Sequence, residues 1–399
     1  MSEKIGLIRK VICVCTACVT AIAGSVTAFA DGGAVSASAD TVSVKQLLED
    51  IPAKEIAAVE CTTGKVLFEK NSLEKREISH LAKLMTLLVC AEKLDSGEIT
   101  LDDEVTVSAE ANAMQGSQIW LDKGEKIRLE ELVKSITIGN ANDACAALSE
   151  YMEGSLDGAV DMMNKHVKTL GMENTHFADC MGMNAETVSC AYDLALLSGE
   201  LLKYDFLRDY LTCWTDTVRD GKAELVSLNR LIRTYSGITG MKCCASQSVG
   251  ECGIFTAERR GMKIAVVILG CDTSENRDRS AQKLLDMCFD MFELYTPEIS
   301  KDMLKKVKVT NGEQQSVKVG FSNIRPVIIP RGASGQVEIE FKREDSLAAP
   351  VKKGQKLGSL CCKMNGDTII KADLTAKSKV KKMNVPFGFF KLLYNLLEM

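Results

Sequence analysis

The run Glu77-Ile78-Ser79-His80-Leu81-Ala82-Lys83-Leu84-Met85-Thr86 decides how the rest of the chain is read. From it onward Leu81, Leu84, Met85, Leu88 and Val89 recur at i, i+3, i+4, i+7 and i+8, the pattern of one buried helix face, and predict a helix over 80–95. His80 and Lys83 lie off that stripe but beside each other, since residues three apart are helix neighbours. A reactive group at 80 would sit next to the Lys83 ammonium and near the positive end of the helix. That geometry suits an acyl-transfer nucleophile, yet position 80 carries an imidazole. Ser79 is one place too early, which turns its hydroxyl about 100° round the helix.

Outward from this stretch the chain alternates strands and helices. Ile56 to Glu60 and Val66 to Phe68 flank a Thr63-Gly64 turn and read as a hairpin. After the acidic turn at 101–104 and the segment Gly116-Ser117-Gln118-Ile119-Trp120-Leu121, residues 129–151 read as helix, interrupted near 139–143. Residues 155–170 and 191–204 are helical by period. Strand-like runs fill 249–271, and a last helix is expected over 277–295. Strands, a helical insert, strands and a closing helix make an α+β domain over 46–296. Thr296-Pro297-Glu298 reads as a boundary. Short alternating runs after it, with an Asn311-Gly312 turn, predict a small antiparallel β domain over 297–376. In the tail, 377–399, Lys377, Lys379, Lys381 and Lys382 precede an apolar run from 387 to 398. There Lys391, Asn395 and Glu398 form a narrow polar stripe. A dozen residues is too short to span a bilayer. The segment reads as an amphipathic helix at the outer face of the cytoplasmic membrane, or as a helix packed on its own β domain.

The 399 residues suffice for two domains, and 46% hydrophobic with 26% charged residues is ordinary for a folded globular chain. A formal charge of −5 argues against a general nucleic-acid partner. Lys4, Arg9 and Lys10, an apolar run from 11 to 26 and Ala28-Phe29-Ala30 describe an export signal over 1–30, with a single membrane anchor as the alternative. Residues 31–45 read as a small-residue linker. Removing the first thirty residues, with three basic groups and one acidic, leaves −7 and places the protein outside the cytoplasm. Thirteen of sixteen cysteines remain. An odd number and the adjacent pairs Cys243-Cys244 and Cys361-Cys362 point to buried free thiols rather than a disulfide framework. Three scattered histidines give no zinc site, and no cofactor is called for.

The quoted run resembles the Ser-x-x-Lys segment of the serine D-alanyl-D-alanine carboxypeptidases, the low-molecular-mass penicillin-binding proteins of the peptidase S11 family. Asn140-Ala141-Asn142-Asp143-Ala144 resembles that family's Ser-x-Asn-Asp-Ala. Gly237-Ile238-Thr239-Gly240-Met241-Lys242-Cys243-Cys244 resembles its Gly-x-x-Gly-x-Lys-Thr-Gly. The run 349–358 resembles the β module that follows the catalytic domain, so the likeness covers most of the mature chain. It implies a penicillin-binding, β-lactamase-like transpeptidase domain, a β domain, and a C-terminal anchor.

It also implies release of the terminal D-alanine from peptidoglycan stem peptides. His80 takes the nucleophile position, Lys83 the base, Asn140 and Asn142 the second cluster, and Lys242, Cys243 and Cys244 the substrate-binding strand. In this sequence Lys83, Asn142 and Lys242 are kept, while both hydroxyls, the threonine and the close-approach glycine are replaced. An amide at 140 cannot relay a proton as a hydroxyl does. The expectation is a catalytically impaired member that binds stem peptides or cell-wall partners, with a working D,D-carboxypeptidase as the alternative. His80 is expected to fill the old serine site with a hydrogen bond to a neighbour. Attack by the His80 imidazole, giving an acyl-imidazole, or by a thiolate at Cys243 or Cys244 is the disfavoured alternative, since an acyl-imidazole hydrolyses readily and no base partners the thiols. A β-lactamase-like reading shares the fold but not the appended domain and tail.

Overall fold

The computed structural model describes residues 44–383. The expected export signal, residues 31–43 of the expected linker and the expected tail helix lie outside them. Residues 44 and 45, placed in the linker by the sequence, already belong to a helix, Val44–Glu49.

Five antiparallel strands form the central sheet: β1 (Glu55–Glu60), β2 (Lys65–Lys70), β3 (Ile238–Ser246), β4 (Gly250–Arg259) and β5 (Met262–Cys271). Their order is β2-β1-β5-β4-β3, which leaves β3 at an edge. The inner strands β1, β4 and β5 carry Val, Ile and Ala and bury both faces. Ala57, Val59, Ile254, Ala265, Val267 and Leu269 join the main helical core. The opposite face carries Ile56, Val266 and Ile268, all fully buried, and α5 (Ser274–Met291) packs against β4 and β5. Alternation thus divides side chains between two cores.

The helical core is built from α1 (Lys83–Ser96), α2 (Leu129–Thr137), α3 (Asn142–Glu153) and α4 (Ala191–Leu201), with a further helix at Leu156–Leu170. The expected interruption near 139–143 is the turn between α2 and α3. In α1 the residues Leu84, Met85, Leu87 and Leu88 are completely buried, and truncating one Leu to Ala costs roughly 2–5 kcal/mol. The helix does not start as a regular α-turn at 80. Ser79–Ala82 is a tighter 3₁₀ turn entered through Ser79 at φ 47°, and the α-helix begins at Lys83.

Two expectations are corrected at the far end of this domain. Helix α5 stops at Met291 rather than 295, because Phe292–Tyr295 is a strand pairing antiparallel with Val327–Pro330. The β domain is also not wholly antiparallel, since Val307–Thr310 runs parallel to Ser346–Ala348. The rest of it is antiparallel as expected, led by the long hairpin Lys356–Met364 with Asp367–Ala376.

Candidate active site

The site lies where the start of α1, the α2–α3 turn and the edge strand β3 meet. Ser79 reaches its left-handed conformation because Gly182 packs directly on its carbonyl, and a Cβ at 182 would collide with that oxygen. The turn then presents His80 toward the cleft, half-buried. Its imidazole makes no hydrogen bond to any described residue, so the expected bond to a neighbour is not formed. Burial, together with the nearby charges of Lys83 and Lys242, pushes its pKa down to about 3. The ring is therefore neutral at physiological pH.

Lys83 opens α1 fully buried. Its Nζ donates to Asn142 Oδ1 at 2.6 Å and to the Met181 carbonyl at 3.2 Å. Burial lowers its pKa to about 8, partly offset by the thiols of Cys145 and Cys244 and the carboxylate of Asp179. Asn142, at the N-terminus of α3, turns its Nδ2 to the Gln115 carbonyl at 2.5 Å and the Met183 Sδ at 3.2 Å. Both ends of this amide are thus already bonded within the protein.

Asn140 bridges the cleft. It stands in the α2–α3 turn at φ 58°, a conformation Asn tolerates. Its Nδ2 donates to the Cys243 carbonyl on β3 at 3.2 Å, while its buried Oδ1 has no hydrogen-bond partner among the described residues. Lys242 points from β3 into the end of α2, donating to the carbonyls of Ile136 at 2.5 Å and Thr137 at 3.4 Å. Those carbonyls are unsatisfied within the helix and favour a cation. Burial first, and the Lys83 charge second, lower the Lys242 pKa to about 7.

The two cysteines of β3 part company. Cys243 lies opposite Gly253, whose missing Cβ would meet the Arg277 side chain, so its thiol belongs to the far face of the sheet. Burial pushes that thiol up to about 12. Cys244 stays on the cleft side but is completely buried, with its Sγ 3.7 Å from the Ile78 carbonyl and Cys252 directly opposite. Its bond with Cys252 and its burial hold its pKa well above the ordinary thiol value. The Cys145 thiol, also fully buried, points at the Cys180 carbonyl at 3.3 Å. Among the described residues, then, no hydroxyl or thiol hydrogen-bonds to the Lys83 amine, and no cluster of three or more His, Cys, Asp or Glu could hold a metal.

Sequence reasoning brought Lys83, Asn140, Asn142 and Lys242 to one place and missed their partners. Asp179 accepts from the backbone N–H groups of Gly182, Met183 and Asn184, a turn that aims the Met181 carbonyl at Lys83 and lays Met183 on Asn142. Asp143 accepts from the N–H groups of Ile119 and Leu121 and so pins the loop over the site. An Asp followed by Gly and Asn is a turn signal, but nothing in it names the lysine it serves.

A five-stranded antiparallel sheet with a helical insert at its edge, followed by a β domain, is the penicillin-binding protein fold. The structure of penicillin binding protein 5 from Haemophilus influenzae superimposes with a TM-score of 0.73 at 25% identity, covering 84% of this chain and 98% of that one. Residues 39–273 match the family model described as D-alanyl-D-alanine carboxypeptidase, and residues 289–382 match the penicillin-binding protein 5 C-terminal domain. The chain is 35% identical over 335 residues to the D-alanyl-D-alanine carboxypeptidase DacF of Bacillus subtilis (strain 168), covering 83% of this chain and 86% of that protein. It is 30% identical over 358 residues to DacC of Escherichia coli (strain K12), covering 88% of each. The chain belongs to the D-alanyl-D-alanine carboxypeptidase family of peptidoglycan metabolism.

Proposed function

We propose that this chain is a non-catalytic member of its family that binds peptidoglycan stem peptides outside the cytoplasm. The observation that carries the reading is the atom at position 80. An acyl-transfer site needs a hydroxyl there for the lysine to deprotonate, and the chain offers an uncharged imidazole, while the Lys83 amine is bonded to Asn142 and Met181. Losing the nucleophile alone costs a serine hydrolase on the order of a millionfold in turnover. Here the hydroxyl of the second cluster is replaced as well, by Asn140, and the thiols of Cys243 and Cys244 are buried.

Binding is supported by what remains unspoken for. Among the described residues Asn140 Oδ1 is buried without a donor, and a buried acceptor left unpaired costs roughly 1–3 kcal/mol. A peptide N–H that takes the place of the Asn140–Cys243 bond along β3 would reach this oxygen and remove that cost. The β domain supports attachment to an anionic membrane face. Residues 297–383 hold eighteen lysines and arginines against nine aspartates and glutamates. Val351, Gly354 and Gln355, which flank Lys352 and Lys353, pair through their backbone with Val380 and Ala376, and Lys377 donates its N–H to the Lys318 carbonyl, so these lysines lie close to one another in the fold. With residues 1–30 as an export signal, this basic end and the tail of the sequence form the anchor.

The test is the mature protein with a pentapeptide ending in D-Ala-D-Ala, following both heat of binding and free D-alanine. Binding without D-alanine release above the uncatalysed rate is expected, and saturable release overturns the reading. The working-enzyme alternative draws on Lys83, whose pKa of about 8 leaves a neutral amine in half the molecules at pH 8. Release that rises through pH 8 and vanishes in Lys83→Ala would establish it.

A further inference from the structure

Trp120 is 72% exposed, the largest exposure among the big hydrophobic side chains of the described residues. Its backbone stands at φ 55°, a left-handed conformation unfavourable for a bulky residue. Strain of this kind persists only where the surroundings over-determine it, and it concentrates at ligand sites. The surroundings here are unusually insistent. Ile119 and Leu121, on either side, are buried and donate their N–H groups to Asp143. The Arg219 guanidinium, itself nearly buried, donates to the carbonyls of both Ile119 and Trp120, and is held in turn by Glu125. The same loop gives Asn142 two of its partners, the carbonyls of Gln115 and Ser117. Folding thus fixes one indole, pointing outward, on the loop that roofs the candidate site.

We propose that Trp120 is a sugar-stacking platform, meeting the glycan to which a stem peptide is joined. An aromatic face ringed by hydrogen-bonding groups fits a pyranose ring, whose C–H edges lie on the indole while its hydroxyls reach polar neighbours. Trp120 has that setting, with Gln118, Asp122 and Lys123 beside it in the loop and its two apolar neighbours turned inward. A protein docking site would instead surround the indole with a continuous apolar patch. The inference rests on the proposed binding of stem peptides in the cleft and adds the carbohydrate half of the ligand.

The chain has two tryptophans, and Trp214 stacks under the Arg233 guanidinium at 5.4 Å. In a Trp214→Phe background, fluorescence therefore reports Trp120 alone. The probes are a free pentapeptide, the same pentapeptide carried on an N-acetylhexosamine disaccharide, and the free disaccharide. The disaccharide-peptide is expected to bind about three- to tenfold more tightly than the free peptide and to shift Trp120 emission. Trp120→Ala, read by calorimetry, should abolish that advantage and leave peptide affinity unchanged, while Trp120→Phe keeps part of it. Peptide binding with no advantage from the sugar, or an advantage that survives Trp120→Ala, overturns this proposal alone. Binding of neither peptide overturns the reading of the cleft and the sugar platform with it.

Discussion

Replacing Lys242 by Met tests the electrostatics of the cleft most sharply. Lys242 is 2% exposed, and its pKa falls from 10.5 to about 7 on folding. A lysine whose folded pKa is depressed destabilises the fold while charged: the cost is fully present below pH 7 and is relieved as pH rises from about 7 to 10.5. A drop of that size corresponds to about 5 kcal/mol at pH 6. Part of it is repulsion from the Lys83 charge. Methionine keeps the apolar stem but leaves the carbonyls of Ile136 and Thr137 without their donor, at roughly 1–3 kcal/mol for each unpaired group. Lys242→Met should therefore be more stable than the parent by about 1 kcal/mol at pH 6. By pH 10 the sign reverses, because the charge penalty has gone and the lost hydrogen bonds remain. Urea unfolding of both proteins at pH 6, 8 and 10 measures this, and taking the difference at each pH cancels the titration of the many buried thiols. A variant less stable at pH 6, or a difference flat across the range, would refute the account of Lys242 as a desolvated cation.

Trp120→Gly should raise stability by about 1 kcal/mol, on the order of 2 °C in Tm, because glycine occupies φ 55° without strain; an unchanged or lower Tm in calorimetry counts against stored strain there. Asp143→Ala removes the acceptor for the N–H groups of Ile119, Leu121 and Ala144 and should cost about 3–5 kcal/mol in urea unfolding. His80→Ser places a hydroxyl in the turn three residues before Lys83, yet Asn140 still supplies no hydroxyl; no penicilloyl adduct should form, and one found by intact mass would show that position 80 alone silences the site.

The fold was legible because its signals are local and repeated. The period around Leu81 to Val89, the interruption at 139–143 and the alternating strands after 249 each correspond to an observed element. The site was legible only as spacing. Three short motifs, distant in sequence, do converge, and Lys83 bonds Asn142 across 59 positions of chain. What each group does inside the cleft depends on partners that no spacing reveals. The bond from Lys242 to the end of α2, the closure from Asn140 to the Cys243 carbonyl, and Met183 lying on Asn142 are all tertiary. So is the parting of Cys243 and Cys244, which were read as one substrate-binding pair. The strand at Phe292–Tyr295 was hidden for another reason: its residues continue the helical pattern of α5 until pairing with Val327–Pro330 outweighs it. Trp120 carried no sequence signal, since its strain and its clamp by Arg219 exist only in three dimensions.

The most direct measurement is the mass of the intact mature protein after prolonged exposure to excess penicillin. Among the described residues Lys83 has no side-chain hydroxyl or accessible thiol to activate, and a single unmodified mass is expected. A stable adduct equal to one penicilloyl group, mapped to any residue of the cleft, would contradict it and name the nucleophile.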